Sequence, residues 1–107
     1  MLSSFNVITL FPDLFRNWLE IGVLSNGIEK ELFEFTTTNL RDFGIGNYKQ
    51  VDDAPYGGGP GMVLMVEPLD KAIKNTKKDV NIFLTPSGSQ LNEDLIDKIH
   101  KHKSANI

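Results

Sequence analysis

Between Val51 and Met62 the chain sets two adjacent carboxylates, Asp52 and Asp53, ahead of the run Pro55-Tyr56-Gly57-Gly58-Gly59-Pro60-Gly61. Glycine permits positive φ and a close backbone approach to a ligand. Proline fixes φ and removes an N–H donor. Together they describe a shaped, stiffened surface, because a flexible Gly/Ser linker has no use for acids, tyrosine and proline. An apolar run resumes at Val63.

The flanking elements are legible from periodicity. Residues 5–11 are apolar and β-branched and read as a buried strand. Pro12 and Asp13 fit a helix start, with an acid at the positive end of the dipole. Leu14, Phe15, Trp18 and Leu19 recur at helical spacing and are expected to face the core, with Trp18 and the phenylalanines read as core residues. Gly22 is expected to end that helix, and Ser25-Asn26-Gly27 to mark a break before a short helix over residues 28–32. Phe33 and Phe35 alternate with polar neighbours and lead into Thr36-Thr37-Thr38, a second strand.

Residues 39–61 show little periodicity, and loops of that length in a compact domain are functional or disordered. Residues 63–66 form a short strand candidate, and Pro68 opens a helix carrying Leu69, Ala72 and Ile73. Residues 80–84 read as the next strand and Thr85-Pro86-Ser87-Gly88-Ser89 as a turn. Asn92 is placed to cap a last helix, with Glu93 and Asp94 in its first turn and Leu95, Ile96 and Ile99 on its apolar face. Lys98, Lys101 and Lys103 suit the C-terminal end of that helix. This order predicts an α/β domain with a largely parallel sheet and flanking helices.

Bulk properties bound the possibilities. A chain of 107 residues suits one small domain or part of one. With 40% hydrophobic and 23% charged residues it is globular in composition. No apolar run approaches the roughly 20 residues that span a bilayer. Met1-Leu2-Ser3-Ser4 has no basic region, so a secretory signal is not expected. The chain has no cysteine, which excludes disulfides, thiolate metal sites and cysteine nucleophiles and agrees with a reducing cytoplasm. A net charge of −3 argues against a basic-stripe nucleic-acid clamp. A local basic patch, or a basic partner segment, would still serve for phosphate contact.

Two segments can carry chemistry. Residues 85–89 follow a strand directly, where open parallel sheets bind ligands. Backbone donors and the hydroxyls of Thr85, Ser87 and Ser89 can hold a polar group there; an ordinary strand-to-helix turn is the alternative. The glycine run is not a Walker loop, and its Gly57-x-Gly59-x-x-Met62 spacing lacks the third glycine of a dinucleotide fingerprint. It is either a ligand surface or a tight connection into Val63. Asp52 and Asp53 point in different directions, so a metal site is not expected; capping of local N–H groups is the alternative. Asp42 is read as pinning the loop beside Arg41, whose own role stays open. His100 and His102, at i and i+2, do not share a helix face and are read as solvated surface.

The segment Val51-Asp52-Asp53 with Pro55 to Met62 resembles the signature of bacterial tRNA (guanine-N(1))-methyltransferases. Three further stretches resemble the same family in order. Val7-Ile8-Thr9-Leu10-Phe11-Pro12 is similar to its opening strand and turn, Arg41-Asp42-Phe43 to the start of its long loop, and Phe83-Leu84-Thr85-Pro86-Ser87-Gly88 to its first cofactor loop. Tyr48, Ala54 and Thr85 depart from the commoner family residues. On this resemblance residues 1–107 are expected to form the N-terminal part of a trefoil-knot (SPOUT) methyltransferase domain, less than half of a family enzyme, with the knot incomplete and with Ala105-Asn106-Ile107 as the first residues of the strand that follows the last helix in the family.

The resemblance implies transfer of a methyl group from S-adenosylmethionine to N1 of the guanosine 3′ of the anticodon in tRNA. It assigns cofactor contacts to Leu84, Thr85, Pro86 and Gly88, and substrate contacts to Asp52, Tyr56, Gly58, Gly59 and Gly61. A carboxylate can accept from guanine N1–H and N2–H₂, and an everted base needs a close backbone approach. The family's catalytic aspartate lies in its C-terminal part, so no catalytic base and no metal ligand are expected within residues 1–107. The expected partners are tRNA and a second copy of the chain, in the cytoplasm and away from membranes. Taken alone, the 107 residues are expected to be inactive, marginally stable and prone to associate. The alternative is a non-catalytic RNA- or nucleotide-binding α/β module that uses only the glycine loop.

Overall fold

In the computed structural model, residues 2–53 and 63–107 are described. The chain enters through β1 (Ser4–Thr9), passes two short helices, α1 (Asp13–Leu19) and α2 (Gly22–Glu29), and returns as β2 (Glu34–Asn39). A single 3₁₀ turn, Leu40–Phe43, leads to a small antiparallel ribbon of β3 (Asp52–Asp53) and β4 (Val63–Leu64). Then come α3 (Val66–Thr76), β5 (Val80–Asn81), α4 (Glu93–His100) and β6 (Ser104–Asn106). β1, β2, β5 and β6 form one sheet in the order β2-β1-β6-β5, all parallel. The expected parallel α/β architecture is therefore present, and the strand expected from Ala105 is β6, which begins at Ser104, ends at Asn106 and lies between β1 and β5.

Two rows of residues cross this sheet in register. Phe35, Phe5, Ala105 and Val80 make one; Thr36, Asn6, Asn106 and Asn81 make the next. Strand side chains alternate faces, so the rows lie on opposite sides. Parallel sheets are covered on both faces, which makes a polar central row costly unless every group is paired. Here the amides pair with each other. Asn6 Nδ2 donates to Asn106 Oδ1 at 3.0 Å, and Asn106 Nδ2 donates to Asn81 Oδ1 at 3.0 Å. The hydroxyls of Thr36 and Thr38 donate to Asn6 Oδ1 at 2.8 and 3.0 Å. Asn6 and Asn106 are each only 2% exposed.

α3 covers one face. Its fully buried Ala72 meets Leu40 and Val51, with Ile8, Leu10, Phe43 and Leu69 packed around them. Alanine lets the helix approach closely, and Pro68 sits in its first turn, where no intrahelical N–H is lost. On the other face Phe5 meets Phe33 edge-on at 5.9 Å, and Phe15, Trp18 and Phe35 form a second cluster with centroids about 6 Å apart.

Several sequence expectations change on this face. Gly22 does not end α1; Glu20 closes that helix on Asn17, and Gly22 opens α2 with φ +64°. The positive φ makes the corner between two helices, which glycine adopts without strain. Ser25-Asn26-Gly27 is not a break but lies inside α2. Gly27 is buried, and a Cβ there would lie 2.5 Å from Phe33 Cε1, so the glycine lets α2 seat directly on that ring. α2 ends at Glu29, where residues 28–32 were expected to be helical.

Trp18 and Leu14 were expected in the core, yet they are 52% and 70% exposed, and Phe11 and Phe83 are exposed too. The helical spacing is right, but no other described element covers the outer side of α1. A groove of about 580 Å³ separates α1 and α2 from α4, lined by Phe5, Trp18, Leu24, Phe35, Ile96 and Ile99. The strands expected over 63–66 and 80–84 are each two residues long. Val66 already begins α3, and past Asn81 only Ile82 bonds β6, through Asn106 O at 2.8 Å.

Removing one amide of the central row should orphan its partners. Asn6→Ala is expected to destabilise the fold by about 1–3 kcal/mol, the cost of leaving buried groups unpaired. Asn81→Ala, at the exposed end of the row, is expected to cost less than about 1 kcal/mol. Urea midpoints of the two variants check this order.

Candidate ligand site at the carboxyl edge of the sheet

All four strands of the sheet point the same way, so their carboxyl ends share one edge. A cavity of about 320 Å³ opens there, bordered by Thr9, Leu40, Leu64, Leu84, Asn106 and Ile107. Thr9 ends β1, Asn106 ends β6, and Leu84 lies three residues beyond β5. The cavity wall is mainly apolar, and polar groups gather where the chain leaves β5.

The turn after Leu84 is built by its own hydroxyls. Gly88 N–H donates to Thr85 O at 3.1 Å, closing a four-residue turn. Ser87 N–H reaches Thr85 Oγ1 at 3.4 Å, and the hydroxyls of Thr85 and Ser87 lie 3.2 Å apart. A Cβ at Gly88 would touch Thr85 Cγ2 and O at 3.3 Å, so glycine keeps the turn tight. Leu84 is 76% exposed beside it. Beyond the turn, Asn92 accepts from Leu95 N–H at 2.9 Å and starts α4 as its residue type predicts. Leu84, Thr85, Pro86 and Gly88 thus stand together at the edge where a ligand is expected.

Asp52 reaches the same neighbourhood from the ribbon. Val51, 3% exposed, anchors the strand in the core and accepts from Met65 N–H at 2.7 Å. Gln50 Nε2 donates to Asp52 O at 2.9 Å. Asp52 lies directly across the ladder from Leu64, which lines the cavity bordered by Leu84. The ribbon, through Leu64, and the segment that leads into the turn, through Leu84, therefore border one space. Tyr56, Gly58, Gly59 and Gly61 lie outside the described residues. Arg41 and Asp42 form no ion pair among the described residues; Arg41 N–H instead bonds Asn39 Oδ1 at 3.0 Å, so the 3₁₀ turn is held by an asparagine cap and not by the expected pinning. His100 and His102 are exposed.

The sequence reading missed Thr9, Leu64 and Ile107 as cavity residues. Thr9 was within reach, since it is the last residue of a strand whose carboxyl end faces the ligand edge. Leu64 needed the ribbon pairing, and Ile107 needed the position of β6.

Comparison with known proteins agrees with this geometry. The family model described as tRNA (Guanine-1)-methyltransferase TrmD matches residues 3–106. The chain belongs to the tRNA (Guanine-1)-methyltransferase TrmD family. A Spiroplasma kunkelii protein named tRNA (guanine-N(1)-)-methyltransferase is 41% identical over 99 residues, 91% of this chain and 37% of that protein. One of the same name from Christiangramia forsetii is 44% identical over 92 residues, 82% of this chain and 41% of that protein. The crystal structure of tRNA (m1G37) methyltransferase from Aquifex aeolicus superposes with a TM-score of 0.80 at 36% identity, covering 100% of this chain and 50% of that one. The parallel sheet with flanking helices is accordingly that of the SPOUT methyltransferases. The chain spans about two-fifths of the length of the first two TrmD-family relatives.

Thr85→Val keeps the volume but removes the hydroxyl that organises the turn. The expected outcome is faster amide exchange at Ser87 with a stability change below about 1 kcal/mol, because a partly exposed neutral hydrogen bond is worth little more. Exchange rates by NMR, set beside the urea midpoint, check both parts.

Proposed function

We propose that the protein serves in tRNA methylation, in the transfer of a methyl group from S-adenosylmethionine to N1 of the guanosine 3′ of the anticodon. The observation that carries this reading is membership of the TrmD family across residues 3–106. On this reading residues 1–107 are the N-terminal part of the methyltransferase domain, and activity belongs to the full length that TrmD-family relatives have.

The residues present fit the cofactor. A mainly apolar cavity suits the faces of an adenine, and the Thr85 and Ser87 hydroxyls beside it suit a ribose or other polar group. Leu84, Thr85, Pro86 and Gly88 would hold S-adenosylmethionine, which when bound supplies a methyl group on a sulfonium. Asp52 would accept from the guanine N1–H and N2–H₂ edge, with Tyr56, Gly58, Gly59 and Gly61 as the further substrate contacts of this reading. N1 must lose its proton for the methyl group to be received. No base is assigned to that step within residues 1–107. We place the protein in the cytoplasm with its tRNA and read it as a homodimer; no helix among the described residues is long and apolar enough to cross a membrane.

The test is methylation of tRNA transcripts that carry guanosine or adenosine 3′ of the anticodon, with labelled S-adenosylmethionine and nucleoside analysis of the product. The expected outcome is 1-methylguanosine from the guanosine transcript alone, formed by residues 1–107 joined to the remaining family length. Asp52→Ala in that polypeptide should lower kcat/KM by about 10- to 100-fold, the worth of a charged hydrogen bond. Methylation at another atom or position would refute the reading.

A further inference from the structure

The opposite, amino edge of the sheet carries charge that this function does not use. The connection from α3 to β5 supplies Lys77 and Lys78. The last turn of α4 and its connection to β6 supply Lys98, Lys101 and Lys103. β5 and β6 are adjacent and parallel, so both connections arrive at one edge. Hydrogen bonds tie them together: Lys103 N–H donates to Asp79 Oδ2 at 2.8 Å, and Asp79 N–H donates to Ser104 Oγ at 3.0 Å. Lys78 Nζ donates to Ser4 Oγ at 3.2 Å, at the start of β1. Nearly half of the 11 basic residues of a chain with net charge −3 therefore meet at one end. Lys77, Lys98, Lys101 and Lys103 are exposed.

Lysines at helix C-termini complement the dipole, which accounts for Lys98 and for the C-caps Lys77 and Lys101 taken singly. It does not account for Lys78 and Lys103, which lie further from the helix ends. Nor are these lysines neutralised as others in the chain are. One turn earlier on α3, Lys71 pairs with Glu67 at 3.1 Å and Lys74 with Asp70 at 2.8 Å, and the Asp70 hydrogen bond and charge hold the Lys74 ammonium above its ordinary value. At the edge no ion pair closes among the described residues, although Asp94 and Asp97 stand one turn before Lys98 and Lys101. Asp79, the acid between the two groups, gives an oxygen to the Lys103 backbone N–H. Asp79 and Glu34, which is in register with Ser4, also stand at this edge, but the five lysines outnumber them; the excess of like charge repels itself, and a polyanion relieves that repulsion.

We propose that this edge binds the phosphate backbone of tRNA at a distance from the target nucleotide, an inference that rests on the tRNA reading above. β1 is six residues long, so the two edges stand roughly 20 Å apart. A tRNA engaged at the carboxyl edge extends far enough to lie against the amino edge. Lysine offers a flexible point charge and not a planar fork, which suits phosphate contact without sequence readout. The edge therefore contributes affinity and salt dependence, and no choice of nucleotide.

The test uses this chain, a fluorescently labelled full tRNA transcript and its anticodon stem-loop, with anisotropy read between 50 and 200 mM KCl (about the range over which phosphate contacts weaken most visibly). The charge-reversed variant Lys77→Glu/Lys101→Glu/Lys103→Glu is compared with the all-arginine variant at the same positions. Charge reversal should weaken tRNA binding at least tenfold at low salt and flatten the log K against log salt slope by about 2–3. The arginine variant should bind as the parent does, and the short stem-loop should bind parent and charge-reversed chains alike. An unchanged slope in the charge-reversed variant, or no tRNA binding by the parent at low salt, would overturn the proposal. So would an equal loss on the stem-loop, which would place the contact at the target site. Methylation of the stem-loop by the longer polypeptide does not depend on this edge, so its failure would count against the functional reading alone.

Discussion

The paired amides of Asn6, Asn106 and Asn81 fix which strands lie side by side. Asn6 and Asn106 are one hundred positions apart, and nothing local brings them together. A one-residue slip of β6 would turn Asn106 to the opposite face, among phenylalanines, and leave Asn6 without its acceptor. A two-residue slip would keep the face and still break both amide pairs. Each bond adds only about 0.5–1.5 kcal/mol net, but every wrong register leaves several buried groups unpaired. The row discriminates between registers more than it adds stability. β5 is attached to the sheet through two paired residues, the Ile82 bond and the Asn81–Asn106 pair, and the ligand turn hangs from β5. The distance between Thr9 and Leu84 across the cavity thus follows from where Asn106 sits.

The two faces of the sheet are finished to different degrees. On the α3 side, Ala72, Leu40 and Val51 exclude solvent and Val51 leads directly into Asp52, so packing on that face aims the ribbon at the cavity. On the other side the rings pack within two aromatic clusters but leave a groove open to α4. Asymmetry of this kind leaves the ligand edge anchored from one side and makes the open face the region where further burial has most to gain.

Much of this was legible in the sequence, and the failures have physical causes. Asn92, Pro68 and the Thr85–Ser89 turn were readable because caps and turns are local chemistry, decided within four residues. The strand at Ala105 was legible only through the family resemblance, in which a strand follows a helix like α4. The amide row was not: Asn6 and Asn106 are polar residues in apolar strands, and only the pairing of distant strands turns them from a defect into a lock. Gly22 and Gly27 were misread because glycine signals both helix ends and close contacts, and the ring of Phe33 decided between them. Trp18 was misread because helical spacing reports which face is apolar, not whether anything covers it. Of the candidate site, the turn was legible from its place after a strand. Its neighbour Leu64 was not, since a two-residue ribbon has no periodicity to read.

Parallel topology also separates the two edges electrically. Each helix of a strand–helix–strand unit runs back against its strands, so helix N-termini gather at the carboxyl edge and C-termini at the amino edge. α4 begins there beside the ligand turn, and its acids Glu93 and Asp94 offset much of the positive end of the dipole. The carboxyl edge therefore offers apolar wall and hydroxyls, with the Asp52 ribbon nearby, rather than net positive charge. The lysines collect at the other edge, where the C-termini of α3 and α4 and two tight connections bring them together. A chain that is acidic overall can thereby keep a mainly apolar cavity at one edge and a cationic border at the other, because the strand direction assigns them to opposite ends.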